Sequence, residues 1–162
     1  MLTPTPQPEG GTGSNLAMPT PQGLIRIGIV SGHWGNGDDA GAVCPDGVTE
    51  QSVNLEIAKK VTARLRDRGV WVDLLQEFDS RLNGFRGDVL VSIHADSCDP
   101  VDADPPATGF KVAAALNTND LNRANRLTAC LVDRYQSITN MNFHAGSITP
   151  DMREYHSFRE ID

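Results

Sequence analysis

Residues 24–35 read Leu24-Ile25-Arg26-Ile27-Gly28-Ile29-Val30-Ser31-Gly32-His33-Trp34-Gly35. The β-branched apolar run Ile25–Val30, ending in Ser-Gly, predicts a strand buried in a sheet. A glycine-rich loop follows, from Gly32 to Gly47. The next stretch, Thr49 to Arg68, predicts a helix. Leu55, Ala58, Val61 and Leu65 recur at helical spacing, and Lys and Arg occupy the other face. Thr49 suits the N-cap, and Gly69 suits the residue just past the C-terminus.

Further out, Val70–Leu75 predicts a second strand and Val89–Ile93 a third. A polar, proline-bearing loop runs from Asp96 to Thr108. Phe110–Leu116 predicts a fourth strand. Leu121–Tyr135 predicts a second helix, with Leu121, Ala124, Leu127 and Leu131 on its inner face. Strands alternating with helices predict an α/β domain, a mostly parallel sheet flanked by helices. After Ser137 the pattern ends, and Ile148–Asp162 is polar. The organisation expected is a Pro/Thr/Gly-rich flexible stretch over 1–23, then one globular domain over 24–162. The stretch 1–23 reads equally as a linker to something upstream or as a simple tail.

The chain has 162 residues, 39% hydrophobic and 22% charged, with a formal net charge of -7. That size supports one domain with a real core. The acidic balance argues against nucleic acid, whose binding needs a basic patch. It argues equally against an anionic membrane surface. No apolar run is long enough to span a bilayer, so membrane insertion by this chain is not expected. No basic n-region and apolar h-region mark an export signal.

Three motifs carry chemistry. Ser31-Gly32-His33-Trp34-Gly35 lies past the end of the first strand. Thr49-Glu50 opens the first helix, with Asn54 one turn on. Ser92-Ile93-His94-Ala95-Asp96 ends the third strand. Sites in open α/β sheets collect at the carboxyl ends of strands, where both histidines fall. Two imidazoles and a carboxylate make a catalytic zinc site with water in the fourth position. Gly32 and Gly35 let the backbone pass close to such an ion. Each residue also has a plainer reading. A histidine at a strand end is often a hydrogen-bonded loop residue, and Glu50 suits the helix dipole.

Taken together, the motifs resemble the zinc-dependent N-acetylmuramoyl-L-alanine amidases of the type 3 family. Their pattern appears here as Gly32-His33-Trp34-Gly35, Glu50 with Asn54-Leu55, and Ser92-Ile93-His94-Ala95-Asp96, supported by Gly41-Ala42 and Gly109-Phe110. The resemblance covers roughly Ile25 to Asp162. It implies that His33, Glu50 and His94 are ligands of Zn2+. It implies cleavage of the amide between N-acetylmuramic acid and L-alanine, with peptidoglycan as partner and a location outside the cytoplasmic membrane.

Three departures stand beside it. Trp34 replaces a usual glycine, and the segment Gln76–Asp88 is short. The family's second glutamate, a general base on a late apolar strand, has no counterpart that reads as such. The expectation is that this base, with the last strand and helix, lies beyond Asp162. Glu160, in a polar stretch, is the weaker nominee. Two other functions fit the same ligands: a non-catalytic zinc-containing module that binds cell wall, and a zinc peptidase that cuts within the stem peptide.

Cys44 and Cys98 fall in the loops after His33 and His94. A disulfide bracing the rim and two unpaired small residues both remain open. Thiolate ligation by the pair would close the open zinc position. Cys130 reads as a buried small apolar residue. Asp38, Asp39 and Asp46 suit either turns or orientation of an imidazole. Arg81 and Arg86 read as solvated, with contact to a stem-peptide carboxylate as the sharper alternative. His144 and His156 read as loop or surface residues.

Overall fold

A computed structural model describes residues 24–99 and 108–159. Three strands form one parallel sheet in the order β2-β1-β3, with β1 at Arg26–Ser31, β2 at Trp71–Gln76 and β3 at Val89–Ile93. Ile29 pairs with Leu74 on one side and Val91 on the other. This is the α/β architecture with a parallel sheet that the alternating pattern predicts. The stretch 1–23 lies outside the described residues.

Helix α1, Glu50–Arg66, connects β1 to β2. Thr49 caps it in a reciprocal box. Its hydroxyl accepts from Ser52 N, and the Ser52 hydroxyl accepts from Thr49 N. The helix ends at Asp67, two residues before Gly69. Glu50 in the first turn and Arg64 and Arg66 in the last suit the helix dipole.

Alternation along the strands sorts the core into two layers. On the α1 face, Ile29, Val72 and Ala58 are buried, with Ile27, Val61, Leu65, Leu74, Val91 and Ile93 packed against them. On the other face, Val30 and Leu75 pack with Leu82, Phe85 and Leu90. Parallel strands on both sides of β1 oblige the chain to cross it between β2 and β3. Segment 77–88 makes that crossing with only a short 3-10 turn, Ser80–Leu82, and lays Leu82 and Phe85 over the sheet. Each such side chain contributes roughly 1.5–3 kcal/mol through burial.

Three expectations change. Phe110–Leu116 does not form a fourth strand. Only Phe110 makes an isolated bridge, to Phe143. The main-chain groups of this segment turn to the late loops instead. Phe110 N donates to Asn142 O, His144 N to Phe110 O, and Leu116 N to Arg153 O. Arg153 Nε also donates to Ala114 O at 2.8 Å. The second helix, α2, runs Leu121–Thr139, past the expected end at Tyr135. Asn140 stops it in the left-handed conformation, at φ 58°. No residue of α2 is buried, and Cys130 on it is exposed, which corrects its reading as a buried residue. Beyond α2 lie two 3-10 turns, Ala145–Ser147 and Asp151–Arg153, and the short helix α3, His156–Arg159.

Candidate metal centre

The ladder between β1 and β3 continues one step past β1, with Gly32 N donating to Ile93 O at 2.9 Å. That pairing brings the chain after β1 and the chain after β3 to the same end of the sheet. His33 then sits at φ 62°, a left-handed conformation costing a non-glycine residue about 1–2 kcal/mol. His94 follows β3 directly. A Cβ on Gly32 would stand 2.3–2.6 Å from the His94 ring, so only glycine admits that imidazole. A Cβ on Gly41 would fall 2.6 Å from Glu50 Oε2 and 2.7 Å from the His33 ring.

Glu50, the first residue of α1, is 9% exposed and points at both rings. Its Oε2 lies 3.3 Å from His33 Nε2, and its Oε1 lies 3.2 Å from His94 Nδ1. The carboxylate is fixed by donors: Ala95 N at 3.1 Å, Ala42 N at 3.3 Å and Asn54 Nδ2 at 3.3 Å. Asn54 Nδ2 also reaches Gly32 O at 3.3 Å, tying α1 to the β1 turn. The imidazole centroids are 5.3 Å apart, with planes at 79°.

Ligand atoms of His33, Glu50 and His94 all lie within 4.8 Å of one another. Donors about 2.1 Å from a tetrahedral zinc stand roughly 3.4 Å apart, close to the separations between Glu50 and each ring. His94 Nε2 is buried and has no hydrogen-bond partner among the described residues. Burial, the largest influence, pushes the His94 pKa below its ordinary 6.5. The Glu50 and Glu77 charges oppose that shift. His94 is therefore neutral near pH 7, the form in which imidazole ligates a metal. The donor set fits a divalent ion such as zinc.

Around this core, Asp39 Oδ2 lies 3.2 Å from His33 Nδ1. The Asp39 pKa is held below the usual carboxylate range, first by the Gly41 N–H and then by His33. Asp38 is exposed, and Asp46 accepts from Val48 N as a turn residue. The Tyr155 ring stacks on His94, with centroids 4.1 Å apart and planes at 24°. Burial raises the Tyr155 pKa, and Glu50 adds to the shift. Cys44 and Cys98 are joined, with Cα atoms 5.5 Å apart, so the loops after His33 and His94 are linked.

Several residues stay outside the group. His144 faces Ser147, and His156 packs on Phe78. Arg81 pairs with Asp79. Glu160 and the region beyond it lie outside the described residues. A cleft of about 460 Å³ lies at the far end of the sheet beside Leu24, Arg66, Trp71 and Asp73. Sequence reasoning missed Tyr155 and Glu77. Tyr155 sits in an aperiodic polar stretch that offers no signal. Glu77 follows β2 directly, and the strand-end rule applied to that strand would have found it.

Comparison with family models matches residues 27–160 to the family described as N-acetylmuramoyl-L-alanine amidase. The match covers most of the chain, and the chain belongs to this family. Neither the curated proteins nor the solved structures gave a match.

Proposed function

We propose that this family member is a zinc-dependent hydrolase that cuts the amide between N-acetylmuramic acid and L-alanine in peptidoglycan. His33, Glu50 and His94 hold the ion, and the enzyme works outside the cytoplasmic membrane. The observation that carries the reading is the convergence of two imidazoles on one buried carboxylate. A bound zinc supplies Lewis acidity and lowers the pKa of its water.

The protein's own groups prepare for that chemistry. Glu50 holds both rings at the strand ends, and three donors hold Glu50. Burial favours the neutral form of the His94 ring. Tyr155 covers one face of the His94 ring and keeps water from it. The disulfide Cys44–Cys98 ties the two histidine-bearing loops.

The test is digestion of purified peptidoglycan, with the released fragments read by mass spectrometry. An amidase releases stem peptides with a free L-alanine amine. Fragments cut between stem residues would replace it with a zinc peptidase. A non-catalytic wall-binding module is the second reading. It is favoured by the engagement of Asp39 and Glu77 with main-chain amides, at Gly41 N and His33 N. Zinc-dependent binding of muropeptide without any release would establish that module.

A further inference from the structure

His33 is held in a conformation that its own chemistry does not favour. Its φ of 62° lies where glycine is at ease and a branched ring side chain is not. Such a conformer persists only when its surroundings hold it. Here the holding groups are visible. His33 N donates to Glu77 Oε2 at 2.8 Å. Glu77 N in return donates to Trp34 O at 3.1 Å. Gln51 Nε2 donates to His33 O at 3.1 Å. The turn also packs tightly on the end of β2, since a Cβ on Gly35 would stand 2.5 Å from the Gln76 side chain.

Glu77 itself is not one of the residues whose ligand atoms cluster. Its carboxylate is half-buried and spent on a main-chain amide, a charge-assisted bond stronger than a neutral one. We infer that Glu77 is a positioning residue: its carboxylate clamps the His33 main chain in the left-handed conformation and so aims the imidazole at Glu50 and His94. Without the clamp, His33 relaxes to negative φ and its Cβ swings away from Glu50. The zinc part of this inference rests on the metal site proposed above. The clamp itself does not.

The metal-free protein provides the direct test, through hydrogen exchange of the His33 amide and nuclear Overhauser contacts between the His33 and His94 rings. In Glu77→Ala the amide loses protection and the ring contacts vanish, while circular dichroism shows an intact fold. In Glu77→Gln the side-chain carbonyl still accepts from His33 N, and both signals return. Zinc titration against a chelator then reads the consequence. Glu77→Ala weakens binding about 10–100-fold, and Glu77→Gln recovers most of it. Unchanged amide protection and ring contacts in Glu77→Ala would overturn the clamp. So would a Glu77→Gln protein as impaired as Glu77→Ala, because charge rather than hydrogen-bond geometry would then matter. A wild-type protein that binds no zinc but keeps a protected His33 amide would remove the proposed function and leave the clamp standing.

Discussion

The family match runs through both described regions, 24–99 from residue 27 onward and the whole of 108–159, yet they are organised differently. The first region is a closed β-α-β-β unit with side chains packed on both faces of the sheet. Every buried apolar residue among those described belongs to it, except Ala114. The second region has a long amphipathic helix with no buried residue, and Ile138 on it is 81% exposed. The regions meet where Tyr155 stacks on His94, His156 packs on Phe78 and Lys111 pairs with Asp96. The contrast separates two tasks. The first region supplies rigidity and the three candidate ligands. The second contributes Tyr155 at the site.

The sharpest test of that division is loss of the candidate ligands. A His33→Ala, His94→Ala double variant should bind no zinc by elemental analysis and release no muropeptide, while its metal-free form still melts cooperatively. Zinc content equal to wild type would end the metal assignment. Next in size is a paired truncation, read by urea denaturation. Leu75→Ala in the first region should cost about 2–5 kcal/mol. Leu131→Ala on α2 should stay within about 0.5 kcal/mol, as for an exposed site. Equal costs would erase the contrast.

A third effect concerns the link between the histidine-bearing loops. Reducing Cys44–Cys98, whose sequence separation is 54, should lower stability by about 2–4 kcal/mol. Free thiols at both positions in protein purified under oxidising conditions would refute the bridge. The smallest effect is a pH slope. The folded pKa of His94 lies below its ordinary 6.5, so the unfolded chain binds the proton more readily. Stability of the metal-free protein should be fully present above pH 6.5 and fall as pH drops through the folded pKa. His94→Gln should flatten that slope, and a slope unchanged in the variant would assign it elsewhere.

The first region was legible because its signals are local and agree. An apolar β-branched run gives β1, helical spacing with a Thr cap gives α1, and a second apolar run gives β3. The strand-end rule then put His33 and His94 at one end of the sheet, and Glu50 at the helix start brought a carboxylate to them. The second region was read less well because nothing local decided it. Phe110–Leu116 has strand-like residues, but its amides find partners in the late loops. The end of α2 depends on Asn140 turning left-handed, which composition does not announce. Tyr155 reaches the site through a long-range contact that no periodicity encodes, whereas Glu77 was open to the strand-end rule that had been applied only to β1 and β3.

Strand order has a consequence for how the protein is made. β1 is central, but its two neighbours emerge from the ribosome later, and β3 last of the three. A nascent chain therefore carries His33 and Glu50 for some time before His94 exists. Pairing between β1 and β3 joins residues far apart in sequence, and such contacts form slowly because loop closure must precede them. The three-residue group is complete only when that last pairing zips. A half-synthesised chain therefore carries only part of the group, which is assembled last of all by the pairing of β3.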